Sequence, residues 1–306
     1  MNIAIACQGG GSHTAFTAGV LSRLLPDLPG ELVGLSGTSG GAITAATAWS
    51  ARRHGEDVPD ALEALWADIA AESPAERVAN DTLTGWSRLR ASGFPLPEFS
   101  PYVTPNDARR DLRAVIEEHV TFDPTPDCPK FVVGTVDING GCFEAFVDED
   151  ITPEVLLASA AVPDLFRAVE MNGHYHWDGL FSQNPPVHEL FTGGAESKPD
   201  ELWVVQINPQ TREGEPKSLM EIADRRNELS GNISLNQELN FVERVNDWVE
   251  AGHLPEDEYA HTEIRRIELG QELELGHASK LDRSPAFIED LLEAGRARAD
   301  AFLDDL

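Results

Sequence analysis

Ser39 lies in a sequence context that favours nucleophilic chemistry. Gly37 and Gly41 flank it in a G-x-S-x-G pattern, after the apolar run 32–35 and before the alanine-rich segment 42–53. A sharp turn from strand to helix needs neighbours without side chains, and it lifts the hydroxyl toward the positive end of the helix. The context predicts a nucleophile elbow at Ser39, although the motif alone is equally typical of a simple tight turn.

Three successive glycines, Gly9, Gly10 and Gly11, follow the apolar run 3–7. Glycine amides are accessible to a substrate, so this loop is suited to stabilise the oxyanion of a tetrahedral intermediate. The alternative is a dinucleotide-binding loop. That motif requires a glycine where Thr14 stands and an acidic residue at the end of the second strand, which this sequence does not supply convincingly.

Asp178, followed by Gly179 at the end of the segment 174–178, is the candidate general base for Ser39. An exposed aspartate with a pKa of about 3.9 is a weak base, so we expect partial burial to raise this pKa. Folds with a serine–histidine–acid triad usually place several strands before the elbow, and here one strand precedes the elbow strand. A dyad is therefore favoured, with three histidines left as triad alternatives: His253, His261 and His277.

A metal site competes for the same aspartate. His174, His176 and Asp178 alternate along a predicted strand and would share one face, and H-x-H-x-D resembles part of a binuclear metallohydrolase motif. That motif normally continues with a histidine where Gly179 stands, and it leaves both glycine turns unexplained. We therefore expect neither a metal nor another cofactor, and interpret the two histidines as neighbours of the active site.

The order of elements indicates an α/β fold. Two strand–glycine turn–helix units within the first 50 residues predict a parallel sheet. Runs 131–138 and 142–147 flank an Asn-Gly-Gly turn and predict a hairpin. Further strands are predicted at 174–178, 202–207 and 264–269, and further helices near 153, at 219–250 and at 285–305.

The segment 72–106 is rich in proline and glycine and is predicted to be irregular. Its aromatic residues are Trp86, Phe94, Phe99 and Tyr102. Long irregular segments often act as lids or caps over active sites, while aromatic residues can also simply pin a surface excursion to the core. Since the sequence shows no internal repeat and no low-complexity linker, we expect one domain over residues 1–306.

Several stretches resemble the patatin-like phospholipase family. The two glycine turns match its oxyanion loop and its serine turn, ASAAVPDLF at 158–166 is similar to its helix-to-loop signature, and WDGLFSQNPP at 177–186 is similar to its aspartate–glycine motif. Residues 225–240 and the final helix from Ser279 resemble prokaryotic members, so the likeness covers essentially the whole chain. The resemblance implies a three-layer α/β/α fold with a mostly parallel central sheet.

The resemblance also implies residue roles. Ser39 would be the nucleophile and Asp178 the proton acceptor, with the oxyanion loop at Gly9, Gly10 and Gly11. The sequence departs from the family pattern at three positions, which would affect loop geometry and substrate preference rather than the catalytic groups: His13, Thr14 and Leu180. The implied activity is that of a serine lipid acyl hydrolase of phospholipase A, lysophospholipase or esterase type; the alternative is a non-catalytic lipid-binding or regulatory protein.

Acidic residues outnumber basic ones by 53 to 23, giving a net charge of -30. This charge makes nucleic acid an unfavourable partner. A dispersed acidic surface is typical of adaptation to molar salt, and equally of an ordinary acidic protein. Neither a run of about 18 apolar residues nor a basic leader pattern is present, and the cysteines, Cys7, Cys128 and Cys142, do not form a disulfide framework pattern. We therefore expect a cytoplasmic protein.

The expected partner is a lipid or acyl-ester substrate, with peripheral membrane contact through the aromatic segment 86–102 becoming easier in molar salt, where charge repulsion is screened.

Overall fold

The computed structural model of the protein describes residues 1–97, 99–103, 107–123, 128–163, 165–193, 198–255, 258–270, 273 and 275–306. Within these residues, eight strands form one sheet with helices on both faces. Four strand pairings are parallel and three are antiparallel. The predicted α/β fold with a mostly parallel sheet is confirmed.

The described strands are β1 (Asn2–Cys7), β2 (Glu31–Gly37), β3 (Lys130–Asp137), β4 (Cys142–Val147), β5 (Val169–Met171), β6 (His174–Asp178), β7 (Glu201–Gln206) and β8 (Glu263–Glu268). Their order across the sheet is β5-β6-β3-β2-β1-β7-β8, and β4 pairs with β3. Because β1 and β2 are parallel neighbours, the glycine turns that follow them leave the sheet at the same edge. This edge is where parallel sheets usually bind ligands.

The described α-helices are α1 (Ala15–Leu24), α2 (Gly40–His54), α3 (Val58–Ile69), α4 (Pro74–Ala91), α5 (Asp107–His119), α6 (Pro153–Ser159), α7 (Leu219–Glu250) and α8 (Pro285–Asp304). None of them, as far as the described residues extend, combines the length and the apolarity needed to cross a membrane. The predicted helices are present: α6 begins at Pro153, α7 has its predicted limits, and α8 ends at Asp304, one residue before its predicted limit.

Two hydrophobic clusters separate the helices into layers on either side of the sheet. Side chains alternate between the faces of a strand, so Ile3 and Ile5 of β1 join the larger cluster with α1, α2, α3 and α8. Ala4 and Ala6 face the opposite way, into a cluster that contains Leu235 of α7. The sheet is thus enclosed between two helical layers, as the three-layer prediction required.

The prediction of an irregular segment at 72–106 is wrong over its first half, because α4 occupies residues 74–91. Ser73 and Glu76 form a reciprocal capping box, with Pro74 in the first turn. These are strong helix-start signals, and they outweigh the glycine at position 85. Residues 98 and 104–106 of the segment lie outside the described residues.

Helices α1 and α8 cross at unusually close range because both carry a glycine at the crossing. A Cβ atom on Gly19 would overlap the carbonyl oxygen of Leu292, and one on Gly295 would overlap the carbonyl oxygen of Phe16. A methyl group has no space between the two backbones. The last helix is therefore fixed directly against the first.

We expect Gly295→Ala to lower the free energy of unfolding by about 1–3 kcal/mol, because a well-packed interior resists added volume. Gly85→Ala in α4 is the matched control, since its Cβ would meet nothing within 4 Å. That change should be neutral or raise stability by up to about 1 kcal/mol through helix propensity. Urea denaturation of both variants tests this, and equal effects would contradict the close crossing.

Candidate active site

Ser39 occupies a strained turn between β2 and α2. Its φ is +56°, in a region that side-chain-bearing residues rarely adopt. A Cβ on Gly37 would lie 2.6 Å from Ala42 Cα, and one on Gly41 would lie 2.6 Å from the carbonyl oxygen of Cys7. Both glycines are therefore required for the turn to approach β1 and its own helix. The structure places all three predicted elbow residues in the predicted strand-to-helix turn.

The backbone of the elbow is fixed by a hydroxyl that the sequence patterns did not single out. The Ser39 N–H donates to Ser159 Oγ at 2.9 Å, and the Ser159 hydroxyl donates to the carbonyl oxygen of Gly134 on β3 at 2.7 Å. Thr38 Oγ1 donates to the carbonyl oxygen of Gln183 at 2.8 Å. The strained turn is thus held by α6, by β3 and by the loop after β6.

Asp178 is buried at the end of β6, close to the Ser39 side chain. Burial raises the pKa of Asp178 to about 6, against the lowering effects of the Leu180 N–H, which donates to Asp178 Oδ1 at 2.8 Å, and of the Ser39 side chain. A Cβ on Gly179 would lie 2.6 Å from the carbonyl oxygen of Gly134, so the aspartate strand end packs tightly on β3. The predicted serine and aspartate therefore meet.

The glycine loop lies directly beside the elbow, because a Cβ on Gly9 would be 2.9 Å from the Ser39 Cβ. The Gly9 N–H donates to Asn184 Oδ1 at 2.6 Å, so this amide is engaged within the protein. Gly11 has a φ of +57° and starts a short 3-10 helix, Gly11–Thr14. The Asn184 side chain does not bind the amides of the other two predicted oxyanion donors, Gly10 and Gly11.

The two strand histidines are paired with different carboxylates. His174 Nδ1 lies 2.6 Å from Asp137 Oδ2, and His176 Nε2 lies 2.6 Å from Glu144 Oε2. Among the residues that the structure describes, no group of three histidine, cysteine or acidic side chains has metal-site geometry. The structure therefore does not bring His174, His176 and Asp178 together as a ligand set.

The three triad alternatives occupy other positions. His261 pairs with Glu250 at 3.2 Å, and the His253 N–H donates to the carbonyl oxygen of Trp248 at the end of α7. His277 lines a small polar pocket together with His13. The ionisable group that lies close to the Ser39 side chain is the Asp178 carboxyl.

Comparison with known proteins gives a family and two structural likenesses. The sequence matches the family model described as "Patatin-like phospholipase" over residues 5–191. VipD from Legionella pneumophila has a TM-score of 0.44 at 13% identity, with 99% of this chain and 66% of VipD covered. The type III effector protein ExoU has a TM-score of 0.37 at 15% identity, with 99% of this chain and 53% of ExoU covered. The chain thus spans less than two thirds of either protein.

No curated protein matches the sequence. The match at residues 5–191 extends over more than half of the chain and includes the glycine loop, the elbow and Asp178. The chain belongs to the patatin-like phospholipase family.

Proposed function

We propose that the chain hydrolyses lipid esters through an acyl-enzyme intermediate on Ser39, with Asp178 as the general base. Membership of a family of lipid acyl hydrolases supports the substrate class. The observation that carries the proposal is the placement of a strained elbow serine beside a buried aspartate whose pKa is raised to about 6. A carboxylate with this pKa is a better proton acceptor than an exposed one and is still ionised at neutral pH.

In the first half-reaction, the Ser39 oxygen attacks the ester carbonyl while its proton passes to Asp178. The carbonyl oxygen becomes an oxyanion that the amides of Gly10 and Gly11 and the N-terminus of α2 stabilise. Collapse of the tetrahedral intermediate breaks the bond to the alcohol, which leaves with the proton from Asp178. Water then attacks the acyl-enzyme, Asp178 accepts its proton, and the released Ser39 takes that proton back.

A covalent probe that reacts with activated serine hydroxyls tests the hydrolase assignment. We expect a fluorophosphonate to label the wild-type chain and to leave Ser39→Ala unlabelled. Ser230→Ala is the control, because Ser230 is an exposed serine whose hydroxyl donates to the Arg226 carbonyl oxygen. Well-folded wild-type protein that resists labelling would reject the enzyme and favour the alternative of a non-catalytic lipid-binding protein.

The rate should fall at acid pH because Asp178 must be ionised to accept a proton. We expect kcat/KM for a soluble ester to lose about tenfold per pH unit well below the Asp178 pKa of about 6. Asp178→Asn should abolish turnover at every pH. A rate that stays constant down to pH 4, measured where the protein remains folded, would show that Asp178 is not the base.

Burying Asp178 should also cost stability. Since its pKa rises from 3.8 to about 6 on folding, the ionised form is disfavoured in the native state, and stability is lost as pH rises between these values. Asp178→Asn should therefore gain about 3 kcal/mol relative to wild type on going from pH 4 to pH 8. Denaturation curves at both pH values test this; the exposed Asp304→Asn should show no such change. An equal effect of Asp178→Asn at both pH values would contradict the burial cost.

We also infer that the protein meets its lipid through an apolar edge formed by Trp86 and Leu89 of α4, Phe94, Phe99 and Leu219. All five side chains are exposed, and a Cβ on Gly93 would overlap Leu219 Cδ1, so the 93–94 turn touches the start of α7. Residues 82–97 contain no acidic residue in a chain of net charge -30. The part of the edge within residues 82–97 therefore lacks the negative charge that repels anionic lipid surfaces.

Replacing Trp86 and Phe94 together by serine should lower hydrolysis of vesicle-borne phospholipid about tenfold or more, while hydrolysis of a soluble short-chain ester stays within about twofold of wild type. The matched control replaces Phe241 and Trp248, also exposed, which lie on α7 more than about 30 Å from its start. Equal losses on both substrates, or no loss on either, would remove the edge as a lipid-docking surface. Comparing phospholipid, lysophospholipid and soluble ester rates also identifies the preferred ester.

A further inference from the structure

A segment far from the catalytic residues in sequence packs behind the glycine loop. The short 3-10 helix Ala278–Leu281 reaches this loop through two contacts. The His13 Nε2 lies 2.8 Å from Ser279 Oγ, and a Cβ on Gly11 would overlap the carbonyl oxygen of Lys280. Gly11 has a left-handed backbone conformation. The carbonyl group of Lys280 occupies the space that a side chain on Gly11 would need.

The Lys280 ammonium is held between two asparagine side chains. Its Nζ donates to Asn208 Oδ1 at 2.6 Å and to Asn227 Oδ1. Part of the side chain lines the small polar pocket, yet desolvation lowers the Lys280 pKa to about 8. Removing an ammonium from water is costly without a directly paired carboxylate, and here neutral amides, not a carboxylate, hold it. The fold therefore keeps a cation at this point at the expense of stability.

The titratable groups around Lys280 come from four parts of the fold. Asp224 and Glu228 face it from α7, Asp178 from β6, His13 from the 3-10 helix after the glycine loop, and His277 from its own segment. Glu228 is already neutralised in part by Arg212 and Arg225.

His13 adds no positive charge to this environment. Burial and the neighbouring Lys280 charge hold the pKa of His13 well below its usual range. The positive charge behind the loop is thus that of Lys280, and its field reaches Asp178, whose pKa it lowers.

We propose that Lys280 is a positioning residue for the reaction on Ser39: its carbonyl seats Gly11, and its ammonium holds a fixed positive charge behind the loop that receives the oxyanion. The proposal rests on the proposed function. It assigns a role to a residue outside the family match at 5–191. Because the oxyanion forms only in the transition state, such a charge acts on kcat more than on KM.

The test compares Lys280→Met and Lys280→Gln with the exposed Lys217→Gln on a soluble ester between pH 5 and pH 10. We expect both Lys280 variants to lose about tenfold or more in kcat with KM within about twofold of wild type. Their acid limb should move up by about half a pH unit or more, because the lost cation no longer lowers the Asp178 pKa. In wild type and in Lys217→Gln, kcat should decline above about pH 8 as Lys280 loses its proton. Both Lys280 variants should lack this decline.

The two proposals fail in different ways. Loss of activity in Ser39→Ala with unchanged kcat and pH limbs in Lys280→Met would overturn the role of Lys280 and leave the hydrolase intact. Absence of ester hydrolysis and of fluorophosphonate labelling in wild type would overturn the hydrolase itself. If neither Lys280 variant folds, the wild-type profile decides: a kcat that stays level from pH 7 to pH 10 overturns the proposal, and a decline in kcat near pH 8 that persists in Lys217→Gln supports it.

Discussion

Ser39 and Asp178 approach each other from the ends of two strands that are not neighbours, because β3 lies between β2 and β6. The proposed dyad therefore depends on what β3 presents at its centre, and that residue is Gly134. Its carbonyl oxygen accepts the Ser159 hydroxyl and lies against Gly179, while a Cβ there would be 3.1 Å from Thr38 Oγ1. A side chain at this position would press against Thr38 of the elbow and against the carbonyl oxygen of Gln183 in the loop after β6. The absence of a side chain on Gly134 thus permits the elbow and this loop to pack closely on β3.

Glycine spacing carried most of what the sequence could reveal. The positions of Ser39 and Asp178 in the fold are predictable because each lies at or just after the end of a recognisable strand and is followed by glycine, and family resemblance links the two motifs. Ser159, Asn184 and Lys280 were not assigned roles, since serine, asparagine and lysine are common surface residues and their partners lie 120, 175 and 72 positions away along the chain. Hydrogen bonds of this kind have no period or motif, so only the folded structure reveals them.

The same limit applies to α4. Composition suggested an irregular segment, but local capping at Ser73 and Glu76 starts a helix that its single glycine does not interrupt. Two aromatic residues of the segment lie outside the core: Trp86 is on an exposed face of α4, and Phe94, beyond the end of the helix, is 62% exposed. Hydrophobic periodicity identifies residues that face the core, and it offers no equivalent signal for apolar residues that stay outside.

The central position of β1 has a consequence for synthesis of the chain. One edge of β1 pairs with β2 soon after it is made, whereas the other pairs with β7, about 200 residues later. The contact of Gly11 with Lys280 and the contact of α1 with α8 form only after the C-terminal part of the chain has been made. Contacts of such high sequence separation form late and slowly, and domains larger than about 150 residues fold through intermediates. An emerging chain therefore contains Ser39 long before the contacts that surround the glycine loop and the elbow are complete.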